Sequence, residues 1–362
     1  MAKHAPIKPS RIPNKWEDVT PEWMTAALAG RHPGAVVDGV TVLMRDDGTN
    51  RRARLGLTYA AGSGPETVFV KAHDPARRLV HLRNGNLFGE ARLFASGTPL
   101  PVEHPVVYKA VVDRLRLDFL LVMEDLVARG ADPRDSTRPM TVDQVAHGVR
   151  GLARLHSRYW GFSGRTHPEL RWIKTWKPTK GWQVGLKKRV PTGLERGGGE
   201  LPDEVAGYDG DGIVRMWTRF VSTLDEGPMT LLHGDAHIGN TYVLPDGDVG
   251  FLDWQVVRRG GWYQDLGTFL ISALTEDDRR SSEAELVEEY RTALEVPGAH
   301  APTADEAWLR YRATPAYGLA IWLSTLGTDG YQRRDVSLAL AERYASAFVE
   351  LETPAALVDL GA

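Results

Sequence analysis

A chain of 362 residues, 42% hydrophobic and 25% charged, has the make-up of a soluble globular protein with room for about two domains. Its 44 basic and 47 acidic residues leave a net charge of −3, which gives no global attraction to nucleic acid or to an acidic membrane. The absence of cysteine excludes disulfides, thiolate metal sites and a cysteine nucleophile, and fits a reducing cytoplasm.

The opening MAKHAPIKPSRIPNKW places Pro, Lys and Arg where a signal peptide needs an apolar run of roughly 7 to 15 residues. Thr20, Pro21 and Glu22 read as an N-cap, a first-turn proline and a first-turn acid, predicting a short helix to about Ala29. Three β-like runs follow, at 36–44, 51–60 and 66–72, separated by DDGTN and GSGP, and predict a small antiparallel sheet. In LFGEARLF, residues 87–94, Leu87, Ala91 and Phe94 share one helical face with Glu90 beside it. Two further β-like runs, 105–112 and 117–124, complete this part.

From Asp125 onward helix signals dominate. Thr141 with Gln144, Ser282 with Glu285 and Thr303 with Glu306 each have capping-box spacing. The stretch 162–212, rich in Gly, Trp, Lys and Arg, shows little periodicity and predicts an irregular insertion or a pair of short helices with long loops. The uncharged run 313–328 contains Pro315, Gly318 and Gly327 and is shorter than the ~18 to 20 residues of a membrane span, so a buried helix is expected. The expected fold class is α+β, with a β-rich part at 1–124 and a helical part at 125–362.

Chemistry concentrates in HGDAHIGN, residues 233–240, between the apolar runs MTLL and TYVL. Thr241–Leu244 and Val249–Asp253 read as two strands joined by the turn PDGD, a hairpin that folds Asn240 back toward Asp253 while Asp235 projects from the preceding turn. Asn and Asp oxygens are hard ligands suited to Mg²⁺, and Asp235 is a carboxylate placed to take a proton from a hydroxyl.

The spacing D-x-x-x-x-N, followed by a strand-borne Asp, resembles the catalytic loop and metal aspartate of protein kinases. HGDAHIGN followed by FLDWQ resembles the aminoglycoside phosphotransferase and choline kinase superfamily, and DWQ with the upstream EDL is most similar to its ecdysteroid-kinase-like branch. The resemblance implies a protein-kinase-like bilobal fold whose cleft binds ATP with Mg²⁺. It implies Asp235 as catalytic base, Asn240 and Asp253 as metal ligands, and Lys71 in the third β-like run as the lysine at the ATP phosphates, oriented by Glu90. VMEDLV, residues 122–127, resembles the hinge that holds adenine through backbone groups, here those of Asp125 and Val127. His233 and Asp265 are implied as supports of the catalytic loop. His237 and Gln255 are candidates for contact with substrate or phosphate. The phosphate-covering turn departs from the pattern: RDDGTNRR has only Gly48 in place of a glycine-rich run, leaving Thr49, Asn50 and backbone N–H groups to cradle phosphate, with Arg51 or Arg52 offsetting Asp46 and Asp47.

The implied activity is γ-phosphoryl transfer from ATP to a hydroxyl of a small organic molecule, and the tryptophan-rich second part favours a bulky, partly apolar alcohol. Trp172, Trp176 and Trp182 interleave with Lys174, Lys177, Lys180, Lys187, Lys188 and Arg189, a pattern that suits either the acceptor pocket or single-stranded nucleic acid. The overall charge argues against nucleic acid as a partner, and no segment calls for a membrane. Two other functions compete: a metal-dependent hydrolase built on His233, Asp235, His237 and Asp253, and a nucleotide-binding homologue without catalysis. The first leaves Lys71 and Glu90 without a purpose; the second is opposed by the complete base and metal set. GFSGR at 161–165 lacks the final glycine of a serine-hydrolase elbow.

Overall fold

The computed structural model describes residues 12–46, 50–77, 87–296 and 301–361. The described residues form two compact units, the first within 1–99, 104–132 and 253–256, the second within 100–103, 133–252 and 257–362.

The first unit holds a five-stranded antiparallel sheet built from β1 (Val36–Arg45), β2 (Arg51–Ala61), β3 (Thr67–Ala72), β4 (Val107–Asp113) and β5 (Asp118–Glu124), in the order β1-β2-β3-β5-β4. Side chains alternate across the strands. Val68, Val70 and Ala72 of β3 join Leu120 and Val122 of β5 in a core that also takes Met24, Ala27 and Leu28 from helix Pro21–Leu28. Phe119, Leu121 and Met123 face the opposite way and pack with Leu87 and Ala91. That alternation puts Lys71 on the face opposite Val70, the side of helix Gly89–Ala95. Thr20 caps the first helix by accepting the Trp23 N–H, as its sequence predicts.

In the second unit, Met229–Leu232 pairs antiparallel with Arg258–Gly261, and Thr241–Val243 pairs with Val249–Phe251. Helices surround these short ribbons. The Thr141–Gln144 capping box is present at the start of Val142–Arg158, and Thr303 caps Ala304–Ala313. Ser282, in contrast, caps nothing. Its helix runs Glu276–Ala293 and is capped by Thr275, where three consecutive acids favour the N-terminal end of the helix dipole. Ser282 Oγ instead donates back to the Asp278 carbonyl, the usual alternative for a mid-helix serine.

Residues 162–212 also depart from expectation. They contain an 18-residue helix, Lys180–Gly197, with Pro191 inside it. This helix packs closely on Pro315–Leu326: a Cβ at Gly193 would lie 2.0 Å from the Leu323 carbonyl oxygen, so only glycine permits the approach. Tertiary packing thus sustains a helix that propensity alone disfavours. Pro315–Leu326 is the buried helix expected near residues 313–328, and among the described residues no helix is long and apolar enough to cross a membrane.

Candidate functional site

In the first unit Lys71, Glu90 and Asp253 come together. Lys71 Nζ donates to Glu90 Oε2 at 2.6 Å and to Asp253 Oδ1 at 2.7 Å. The lysine and glutamate side chains are 6% and 5% exposed, whereas Asp253 is 27% exposed. Burial works against the lysine charge, but Asp253 and Glu90 outweigh it and hold the ammonium above its ordinary pKa. Burial pushes Glu90 up despite the lysine beside it. Glu90 Oε1 also accepts the Trp254 N–H at 3.2 Å, tying the helix to the segment after Asp253. The approach needs Gly89, where a Cβ would lie 2.2 Å from the Gln255 carbonyl oxygen.

Asp253 itself has φ of +65°. A non-glycine residue in the left-handed region stores strain, and such residues gather at functional sites.

Two other expected residues meet nearby: Asn50 Nδ2 donates to Gln255 Oε1 at 3.4 Å, and Asn50 Oδ1 is buried without a hydrogen-bond partner among the described residues. Their proximity was not legible in the sequence, because 205 residues separate them. Arg52 pairs with Asp46 at 2.8 Å, the offset anticipated for the acidic turn, while Arg51 Nε donates to the His73 carbonyl at 2.9 Å. Thr49 lies outside the described residues. At the hinge-like segment the Asp125 side chain is buried, paired with Arg54 and accepting Thr67 Oγ1 at 2.6 Å. The Val127 N–H donates to Asp125 Oδ1 at 3.1 Å and the Asp125 carbonyl accepts the Ala128 N–H at 3.1 Å, so both backbone groups are engaged inside the turn.

In the second unit the HGDAHIGN loop is fixed largely by its backbone. Asp265, fully buried in helix Tyr263–Ala273, accepts the His233 N–H at 2.6 Å and the Gly234 N–H at 2.9 Å. Burial alone would raise its pKa; His156, His233 and the Gly234 N–H outweigh that and hold it below the ordinary carboxylate value. Asp265 is the third residue of its helix and not its cap, so supporting this loop is what its carboxylate does. His156 Nε2 lies 3.4 Å from Asp265 Oδ2, and its Nδ1 lies 2.6 Å from the Tyr290 hydroxyl. The carboxylate requires the proton on Nε2, so Tyr290 donates to Nδ1. This buttress was missed in the sequence, where His156 looks like one more residue on the apolar face of Val142–Arg158.

His233 Nδ1 accepts the Asp235 N–H at 3.3 Å, which puts the ring proton on Nε2, donated to the Leu252 carbonyl at 3.0 Å. Gly234 has φ of +85°, the turn that presents Asp235. Asn240 Nδ2 donates to the Asp235 carbonyl at 2.9 Å and to Asp235 Oδ2 at 3.2 Å, leaving Oδ1 as the other end of the amide. The Leu252 N–H donates to the Asn240 carbonyl at 2.9 Å, so the hairpin carries the residue before Asp253 against Asn240. The Asp235 side chain is 40% exposed. His237 Nδ1 accepts the Gly239 N–H at 3.1 Å and its ring meets Trp322 edge-on at 5.1 Å, which gives it a capping role in the loop. Among the described residues no three His, Asp or Glu side chains group as a metal site, and His233 has both ring nitrogens engaged.

An antiparallel sheet whose third strand carries a lysine paired to a helix glutamate, with a helical unit bearing an Asp–Asn loop, defines a kinase-like phosphotransferase fold. The model of the phosphotransferase enzyme family matches residues 52–310, and the chain belongs to that family. The match is to the family as a whole and does not single out an ecdysteroid-kinase-like branch.

Among solved structures, the chain is similar to spectinomycin phosphotransferase APH(9)-Ia in complex with ADP and spectinomycin (12% identity, 90% of this chain and 97% of that one, TM-score 0.50). It is similar also to a putative aminoglycoside phosphotransferase from Ralstonia eutropha (15%, 91% and 98%, 0.49) and to amicoumacin kinase hAmiN with AMP-PNP, Ca²⁺ and Ami (17%, 87% and 88%, 0.47). At 12% identity the likeness to the spectinomycin enzyme speaks to the fold and to nothing finer. No curated protein matches the chain.

Proposed function

We propose that the protein transfers the γ-phosphoryl group of ATP to a hydroxyl of a small organic acceptor, with Mg²⁺. The observation that carries this is the Lys71–Glu90–Asp253 cluster. Asp253, half-buried and held in a left-handed backbone, brings a second carboxylate to the buried lysine that Glu90 also holds. The donor set fits Mg²⁺: a carboxylate from Asp253 and an amide oxygen from Asn240 are hard ligands, and substrate phosphates complete such a shell.

In this proposal the first unit serves the nucleotide. Lys71, oriented by Glu90, places a positive charge at the phosphates, and Asn50 with Gln255 offers a buried carbonyl oxygen and amides beside it. Adenine contact through Asp125 and Val127 would compete with the bonds inside their turn. The second unit serves the acceptor: Asp235 accepts the proton of the attacking hydroxyl, Asn240 holds that carboxylate in place, and Asp265 with His233 fixes the loop. Asn240 and Asp253 would hold Mg²⁺, which would neutralise phosphate charge. Because phosphoryl transfer passes through a loose transition state, positioning and electrostatics outweigh covalent chemistry. With ATP as donor, the cytoplasm is the proposed location.

An ATP-consumption screen over hydroxylated metabolites tests this, with the Asp235→Asn protein as background. Acceptor-dependent consumption that the variant lacks is expected; consumption equal in both proteins would remove Asp235 from the chemistry.

A further inference from the structure

Among the described residues, a buried guanidinium in the second unit has no counter-charge. Arg258 begins the strand Arg258–Gly261, in register with Leu232, one residue before the catalytic loop. It is only 6% exposed. Nη2 donates to the Gly234 carbonyl at 2.6 Å and to the Tyr317 hydroxyl at 3.0 Å. The guanidinium lies over the Trp176 ring at 4.9 Å and the Tyr317 ring at 5.7 Å. Among the described residues no Asp or Glu pairs with it, Nε is buried without a partner, and Nη1 makes no hydrogen bond.

Arg279, buried in the same unit, shows what a structural arginine does there: it pairs with Glu283 at 2.9 Å and with Glu350. A buried charge without a counter-ion is costly. The π faces and two neutral oxygens offset part of that cost, and none brings a full negative charge. The arrangement is pre-organised, because Arg259 ties the Trp176 segment to the strand: its N–H donates to the Lys174 carbonyl at 3.3 Å and its Nε to Thr175 Oγ1 at 3.1 Å. Both Nη2 hydrogens are donated and Nε is buried, so Nη1 is the donor left beside the two rings, and it suits a charge-assisted bond to a carboxylate or other oxyanion. Its anchor, Gly234, directly precedes Asp235.

We propose that Arg258 binds an oxyanion of the acceptor, so that the substrates of this chain are hydroxylated anions with an apolar portion lying along Trp176 and Tyr317. This rests on the phosphotransferase reading for the word acceptor, not for the anion site. It also gives the Trp- and Lys-rich segment around Trp176 a purpose: that segment is one wall of the site.

The test is calorimetric titration of the full chain, without nucleotide, using inorganic phosphate, phenyllactate and gluconate beside the uncharged 3-phenylpropane-1,2-diol and sorbitol. At least one anion is expected to bind saturably at millimolar concentration or below, and about ten-fold or more tighter than an uncharged probe, as a charge-assisted hydrogen bond predicts. Arg258→Met is expected to abolish that preference and Arg258→Lys to retain part of it. Absence of saturable anion binding, or an equal preference in Arg258→Met, overturns the proposal. Should Arg258→Met fail to fold, Trp176→Ala is expected to weaken anion binding several-fold, and unchanged binding overturns the proposal equally. Displacement of the bound anion by Mg-ATP would assign Arg258 to the nucleotide and overturn the acceptor site; binding alongside Mg-ATP supports it. Arg258-dependent anion binding in a protein that never consumes ATP would keep this site and remove the phosphotransferase reading. ATP consumption with uncharged acceptors alone would do the reverse.

Discussion

Lys71 in the first unit is held by charge, through two carboxylates carried on separate segments, whereas Asp235 in the second is held by a loop whose own N–H groups are pinned by Asp265 and His233. Ionic clusters of side chains are non-additive, because removing one member leaves the other buried and unpaired. A backbone-held loop has no such rescue, since its N–H donors stay whatever side chain is changed. The difference suits the duties proposed here: the first cluster can exchange partners when a cation and phosphates arrive, and the second keeps a base in one place.

The largest expected effect is on turnover. Asp235→Asn keeps the shape of the loop and removes the proposed proton acceptor, so acceptor-dependent ATP consumption should fall by ~10²- to 10⁴-fold. Retained activity would break the assignment of the second cluster.

Next is the ionic cluster. Lys71→Met strands Glu90 and should lower unfolding free energy by about 3–5 kcal/mol in urea titration, while the double variant Lys71→Met/Glu90→Met should recover most of the loss. Additive effects would mean that charge is not what holds Lys71.

Asp265→Ala sharpens the contrast from the other side. It leaves the His233 and Gly234 N–H groups buried without an acceptor, at a cost of about 2–5 kcal/mol. Adding His156→Ala should recover none of it, because the orphaned donors are backbone. Recovery in that double variant would place the Asp265 interaction with His156, not with the loop.

The smallest effect is the pH dependence of a peripheral cluster. Burial would raise Glu350, but Arg280, Arg279 and Ser346 outweigh it and depress it from 4.5 to about 2. A depressed carboxylate contributes stability that is complete above its unfolded pKa and is lost as pH falls through its folded one. Acid unfolding between about pH 4.5 and 2 should therefore be less steep in Glu350→Gln; an identical acid profile would show that these arginines contribute nothing there.

The parts of the site legible in the sequence are those where polar residues stand against an apolar background: Lys71 in FVKA, and the loop from His233 to Asn240 between two apolar runs. Burial turns such residues into a signal, because each needs a partner. Residues whose meaning comes only from distant partners were not legible. Asn50 and Gln255 were named separately, with no sign that they touch. Arg258 carries no signal in the sequence, since neither its burial nor its rings can be read from neighbours in the chain. Local strength misled in two places. Ser282 has the right spacing for a cap, but Thr275 followed by three acids starts the helix earlier. The glycines and weak periodicity of 162–212 suggested an irregular insertion or short helices with long loops, whereas Gly193 is what lets the helix Lys180–Gly197 pack.

The central claim is a division of labour, with Asp253 serving nucleotide and metal while Asp235 serves the acceptor. Calorimetric titration of ATP in the presence and absence of Mg²⁺, on wild type, Asp253→Ala and Asp235→Asn side by side, tests it most directly. The account predicts Mg²⁺-dependent ATP binding that is unchanged in Asp235→Asn and lost in Asp253→Ala. Wild-type affinity in Asp253→Ala, or loss of binding in Asp235→Asn, would contradict it.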